Sequence, residues 1–258
     1  MNKKINRRIR LILKAVVIGL CVSMPLVGSG QSPEEIIRRM EQQMRGESAE
    51  LEMRMQIIRP RYTREMKMKT WAKGQDYSLV VITEPARDRG TAFLKRKKEI
   101  WNYVPNVDRT IKLPPNMMSQ SWMGSDFTND DLVRESSIID DFDQRLIGSE
   151  KVEGAECWVL EMVPKPGSSV VFSKVKVWIG KEDYLHRRSE NYGDKGELVS
   201  VIENGNIREV GGRRIPTRIV ITPQGKTGHQ TVIEYVNATF NKPIREDFFS
   251  LQNLKNIR

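Results

Sequence analysis

LEMRMQII, Leu51 to Ile58, decides the fold class. Leu51, Met53, Met55 and Ile57 alternate with Glu52, Arg54 and Gln56. One face is apolar and the other charged or polar, the period-two signature of a half-buried strand. Past the turn at Pro60 and Arg61 the pattern repeats, Met66 and Met68 alternating with Glu65, Lys67 and Lys69 as far as Lys73-Gly74. The run Tyr77 to Thr83 reads as a third strand, apolar almost throughout and closed by Pro85. Three shorter strands follow over Thr91–Lys97, Glu99–Val104 and Arg109–Leu113, with a turn at Asn106–Asp108.

Strands resume at Asp141. The candidates are Asp141–Glu150, Ala155–Val163, Val170–Gly180, Tyr184–Tyr192, Glu197–Glu209, Arg214–Pro223 and Gly228–Asn237. Pro164–Gly167, Gly193–Gly196 and Gly211-Gly212 separate several of them. A spacing of about 10–15 residues without intervening helical periodicity argues for an antiparallel meander. Such a sheet, about 11 to 13 strands, must curl or close to bury one face. Before the strands, Ser32-Pro33-Glu34-Glu35 has the form of a helix start, and Ile36, Ile37, Met40 and Met44 fall at helical spacing. The expected helix runs from Pro33 to Arg45 and ends at Gly46. The tail from Pro243 to Leu251 should pack Phe248, Phe249 and Leu251 on the sheet.

The two strand blocks are separated by MMSQSWMGSDFTNDDL, Met117 to Leu132. Met117, Met118, Trp122, Met123 and Phe127 load it with soft and aromatic side chains, and Asp126, Asp130 and Asp131 sit beside them. Pro114 and Pro115 open it, and Thr128 with Asp131 resembles a capping box with Asp in place of Glu or Gln. The expectation is a short helix, a break at Gly124-Ser125, and a second helix from Asn129 to Glu135. In a β protein two such helices form either a lid or a cap on the sheet core.

Residues 1–30 read as a secretory signal peptide. Lys3, Lys4, Arg7, Arg8 and Arg10 make a basic start, Ala15 to Val27 is a short apolar run, and Gly28-Ser29-Gly30 supplies small residues for cleavage. The run is short for a membrane span, and Pro25 interrupts it. Leu20 stands before Cys21 where a lipidation signal needs a small residue, so Cys21 is expected to leave with the signal. The 258-residue chain carries 43 Lys and Arg against 33 Asp and Glu. Six of the basic residues lie in the first thirty, which leaves the remainder at +4. That balance does not suit a nucleic-acid partner. Cys157 in the run CWVL is expected to be a buried, inert thiol.

Residues 31–258 have no linker or repeat and read as one domain. The sequence carries no nucleophile elbow, phosphate loop or dinucleotide fingerprint. His186 and His229 are the only histidines, lie on different strands and read as ordinary strand residues. Asp140, Asp141 and Asp143 lack the ordered spacing of a calcium loop. The expectation is a non-enzyme with no cofactor and no metal. An apolar concave sheet with apolar helices over it makes a greasy cavity where they only close a mouth.

The element order and three stretches carry a family resemblance: IWNYVPNVDRTIKLPPNMMSQSWMGSDFTNDDL at Ile100–Leu132, RGTAFLK at Arg89–Lys95 and IREDFFSL at Ile244–Leu251. The chain resembles the bacterial outer membrane lipoprotein-sorting protein group, within the superfamily of LolA-like periplasmic lipoprotein carriers. The resemblance implies a single unclosed antiparallel β-barrel, mainly β with some helix, and a helical lid over a hydrophobic cavity. It implies a periplasmic location and acylated lipoprotein or lipid cargo, carried from the inner towards the outer membrane by a monomer. An inner-membrane transporter of ABC or RND type and an outer-membrane acceptor would be the partners of such a carrier. It makes Trp122, Met123 and Phe127 lid residues, together with Met117 and Met118 of the same stretch. The strand alternation supplies the cavity set: Leu51, Met53, Met55, Ile57, Met66, Met68, Leu79 and Val81. Carriers of this type use an early-strand arginine to control closure. Arg54 and Arg64 lie in that region, but neither falls in an alignable motif. A sensor or regulator of envelope stress with the same lipid-binding fold is the alternative.

Overall fold

The computed structural model describes residues 31–97, 99–129, 131, 138–166, 168 and 170–257. The expected signal peptide, Asp130 and the stretch 132–137, with most of the second expected lid helix, lie outside the described residues. Helix α1 spans Pro33–Arg45 as its sequence signals require. Ser32 Oγ accepts from Glu35 N at 3.2 Å, Pro33 takes the first turn, and Glu34 and Glu35 face the positive end of the helix dipole. Gly46 ends it at φ +66°, where a Cβ would come within 2.5 Å of Asn241 Oδ1. Arg213 Nη1 donates to the carbonyls of Gln42 and Gln43, at 2.8 and 3.3 Å, and satisfies part of the last turn.

Thirteen strands form one antiparallel sheet: β1 (Ser48–Arg59), β2 (Tyr62–Lys73), β3 (Tyr77–Glu84), β4 (Ala92–Arg96), β5 (Glu99–Val104), β6 (Arg109–Lys112), β7 (Phe142–Val152), β8 (Ala155–Pro164), β9 (Lys174–Gly180), β10 (His186–Tyr192), β11 (Leu198–Val210), β12 (Arg213–Pro223) and β13 (Gln230–Phe240). The spatial order runs β6-β5-β4-β3-β2-β1-β13-β12-β11-β10-β9-β8-β7. First and last strands of the meander meet in the middle, and β6 and β7 are left as the two edges. The barrel is unclosed, and its thirteen strands stand at the upper end of the 11 to 13 expected.

Register places the alternating side chains on one wall. Met53 stands opposite Met68 on β2 and Tyr235 on β13, and Met55 stands opposite Met66 and Ile233. The polar residues between them face outward, where Lys69 meets Glu52 at 3.0 Å and Arg54 meets Glu234. At the far end of the same inner wall, α1 lays Ile36, Ile37 and Met40 on Phe142, Leu160, Met162, Val175, Val177 and Ile179. The outer face of β3 and β4 is also covered. Phe249 and Leu254 of the C-terminal segment, with a 3-10 turn at Glu246–Phe248 and a helix at Leu251–Asn256, pack on Leu79, Val81, Ala92 and Leu94. Cys157 is fully buried beside Val159 and Trp178, and burial pushes its thiol up. Among the described residues no helix is long and apolar enough to cross a membrane.

Candidate functional site

The segment between β6 and β7 leaves one edge of the sheet, lays its middle on the inner wall, and rejoins at the other edge. Its first part is not the α-helix its composition suggests. It forms two 3-10 turns, Pro115–Met117 and Trp122–Gly124, and a loop closed by a bridge between Ser121 and Thr128. Serine explains the difference, because its hydroxyl competes for backbone groups that a helix would use. Ser125 Oγ donates to Trp122 O at 2.7 Å and accepts from Phe127 N at 3.1 Å. Met123 and Gly124 both take left-handed backbone, at φ +53° and +78°. The capping box forms as expected: Asp131 Oδ2 accepts from Thr128 N at 2.6 Å, and Thr128 Oγ1 accepts from Asp131 N at 3.1 Å.

Trp122 is the plug. It is 1% exposed, meets Phe93 edge-on at 5.5 Å, and packs among Met55, Ile57, Met66, Met68, Val80 and Ile82. Met53, Met123, Phe127 and Ile233 complete the cluster. Trp122 Nε1 is buried without a hydrogen-bond partner. Leu51, Met53, Met55 and Met68 line a cavity of about 120 Å³ with Val80, Trp122, Phe127 and Ile219. That is well below the roughly 300 Å³ at which ligand pockets begin. The loop is therefore seated, and a larger space on this wall needs it to withdraw.

Two arginines hold the loop down. Arg59, at the end of β1, donates from Nη1 to Asp126 Oδ2 at 3.0 Å and from Nη2 to the Gly124 carbonyl at 2.9 Å. The pair is desolvated, with side chains 10% and 8% exposed. Thr231 on β13 donates to the same Asp126 oxygen at 2.7 Å and accepts from Asp126 N at 3.0 Å. Arg64 on β2 donates to the Met123 carbonyl at 3.0 Å and to Asp88 Oδ2 at 2.7 Å. The left-handed residues 123 and 124 thus present two successive carbonyls to two arginines.

Of the expected cavity residues, Leu51, Met53, Met55, Ile57, Met66 and Met68 share the inner wall. Leu79 and Val81 do not. They face the C-terminal tail, and their neighbours Ser78, Val80 and Ile82 face inward. The reason is that β3 is covered on both faces, so its sequence has no alternation from which to tell inside from outside. Of the expected lid residues, Trp122, Met123 and Phe127 reach the cluster. Met117 and Met118 are half-buried on the approach to it, outside both the cluster and the cavity lining. Arg54 points outward, so of the two arginines read from the sequence only Arg64 touches the loop. Arg59 and Thr231 were not singled out. The signal was Asp126, an acid in a stretch otherwise bound for burial, which must find a cation or donors there.

A family model described as "Uncharacterized protein" matches residues 74–256. No curated protein matches the chain. Among the solved structures that match, three share its fold with TM-scores of 0.75 to 0.79. A DUF1329 family protein from Desulfovibrio piger is 25% identical, with a TM-score of 0.79 and coverage of 87% of this chain and 100% of the other. A domain from Vibrio parahaemolyticus described as outer membrane lipoprotein-sorting is 24% identical, with a TM-score of 0.77 and coverage of 86% and 97%. A LolA superfamily protein from Nitrosomonas europaea is 23% identical, with a TM-score of 0.75 and coverage of 87% and 100%.

Proposed function

The chain belongs to the family matched over residues 74–256, in the LolA-like fold group, and from that premise we propose that it is a periplasmic carrier of acyl chains. The observation that carries the reading is the seated loop. A methionine-rich wall meets an aromatic plug that directional polar contacts hold in place, rather than interdigitated packing alone. Methionine side chains reshape around variable apolar partners. Leu51, Met53, Met55, Ile57, Met66 and Met68 take the place of solvent around the cargo, and Trp122, Met123 and Phe127 form the closing element. The cargo is an acylated lipoprotein or another lipid, moved from the inner towards the outer membrane.

Uptake exchanges one apolar partner for another. Withdrawal of Trp122 uncovers the wall, and the acyl chain covers it again at about 0.8 kcal/mol per buried CH₂. Arg59 and Arg64 lose their contacts with the loop on opening. They are thus the means by which an acceptor or donor protein can bias the two states. No covalent step is required of any residue.

Native mass spectrometry of the protein purified from its own cell envelope tests this. A co-purifying acylated species supports the carrier, and Met53→Asp with Met55→Asp should remove it. A protein that arrives empty and also takes up no diacylated peptide in vitro contradicts it.

A further inference from the structure

A second space adjoins the apolar one. About 210 Å³ in volume, it lies between the C-terminal end of α1 and the strands β1, β2 and β10 to β13. The two share Leu51, Thr70, Ile219 and Tyr235 as walls, so they are compartments of one interior. Their chemistry differs. Asn204 on β11 is 5% exposed and Thr70 on β2 is 6% exposed. Asn204 Nδ2, Thr70 Oγ1 and Arg45 Nη1 are all buried without a hydrogen-bond partner. Three orphaned groups able to donate, on one small cavity, are costly unless something supplies acceptors.

The charge around them selects the kind of acceptor. Glu41 and Glu47 line the space against one cation, Arg45. The neighbouring Arg213 is taken up by the last carbonyls of α1. His186 contacts Arg188 O at 3.1 Å through Nε2 and is held neutral by desolvation, its pKa lowered to about 4. An anionic head would meet a wall with no surplus of positive charge. A neutral group rich in carbonyl oxygens meets these donors without the full charge repulsion that Glu41 and Glu47 impose on an anion.

We propose that this compartment is a polar subsite for the ester linkages of an acylglycerol, with Asn204, Thr70 and Arg45 donating to the ester carbonyl oxygens while the acyl chains lie under Trp122. The proposal rests on the carrier reading and adds to it a discrimination among lipids with identical chains. Each hydrogen bond left unmade at a buried donor weakens binding, and two together amount to about tenfold.

The test compares a fluorescent dioleoylglycerol with its dioleyl ether analogue, which keeps the chains and lacks the carbonyls. The wild-type protein should bind the ester about tenfold more tightly. Asn204→Leu with Thr70→Val should reduce the difference, by weakening the ester alone, to the part that Arg45 still supplies, about threefold. Equal affinities of the wild-type protein for ester and ether overturn the subsite and leave the acyl site standing. If neither lipid binds, the subsite fails; the carrier reading stands or falls separately, on whether a diacylated peptide is still taken up. The wild-type comparison needs no variant to fold.

Discussion

Strands β2 to β4 carry two apolar surfaces back to back, and the two are closed in different ways. Outside, Leu79, Val81, Ala92 and Leu94 lie under Phe249 and Leu254, both fully buried, with Phe248 edge-on to Phe249 at 5.3 Å and Tyr77 tilted on it at 5.5 Å. This is aromatic packing whose polar contacts lie at the exposed rim, where Tyr77 Oη donates to Glu246 at 3.2 Å and Lys255 Nζ donates to Asp108 at 3.4 Å. Inside, Met55, Met66, Met68 and Val80 lie under Trp122, whose loop is held by Arg59, Asp126, Thr231 and Arg64. One ladder of backbone hydrogen bonds thus supports an aromatic-packed tail on one side and a loop held by buried polar contacts on the other. The difference lies in what holds the cover, since dispersion and area burial act alike on both faces.

The largest effect should come from the outer face. Phe249→Ala is expected to cost about 3–5 kcal/mol in urea unfolding, with acyl uptake unchanged among the molecules still folded. Trp122→Ala removes a larger buried side chain but should cost less, below about 3 kcal/mol, because the loop can collapse or withdraw rather than leave a void. It should also speed uptake of a diacylated peptide. Equal losses with unaltered uptake would make the inner face a core like the outer one.

These two faces were unequally legible in the sequence. On β1 and β2 one side is charged, so the alternation from Leu51 to Ile57 and through Met66 and Met68 gave the inner wall directly. On β3 both sides are apolar, and Leu79 and Val81 were indistinguishable from Val80 and Ile82 without the tail in place. The helix at Pro33–Arg45 was legible because Ser32, Pro33 and Gly46 act locally. The loop was legible as a special element but not in its conformation. Its helix-favouring composition lost to the hydroxyls of Ser121 and Ser125 and to contacts with arginines 59 or more residues away in sequence. Pairings over that separation leave no local trace.

Asp126→Ala probes the fastening itself. It leaves Arg59 with backbone carbonyls and without its carboxylate partner, in a site where its side chain is 10% exposed, and removing one member of a buried pair is strongly destabilising when the structure cannot respond. Here the loop can release the cation to solvent. The expected global loss is about 1–3 kcal/mol, with hydrogen exchange of the amides in 121–128 rising well before global unfolding. A uniform rise across the sheet would mean that the loop and the core open together.

The polar compartment gives a pH signature that the outer face lacks. Burial holds the folded-state pKa of His186 at about 4, against 6.5 when unperturbed. Between those values the unfolded chain binds the extra proton, so stability is full above pH 6.5 and declines as pH falls towards 4. The expected loss is on the order of 3 kcal/mol, read as the difference in urea midpoint between pH 7 and pH 4 for wild type against His186→Gln. A variant with the same slope would assign the decline to carboxylates elsewhere. The smallest effect belongs to the exposed outer pairs. Lys69→Ala, which breaks the contact with Glu52, should change stability by less than about 1 kcal/mol and leave uptake unaltered.

The most direct test fastens the cover covalently. Asp126 and Thr231 face each other with side-chain oxygens 2.7 Å apart, and Cys157 is the one free cysteine among the described residues and is buried. Asp126→Cys with Thr231→Cys should therefore form a reducible bond between loop and β13. Uptake of a fluorescent diacylated peptide is then measured before and after reduction. Uptake blocked in the oxidised protein and restored by reductant is the result predicted for an acyl site under a removable cover. Equal uptake in both states would contradict it, because the ligand would then be binding without the loop moving.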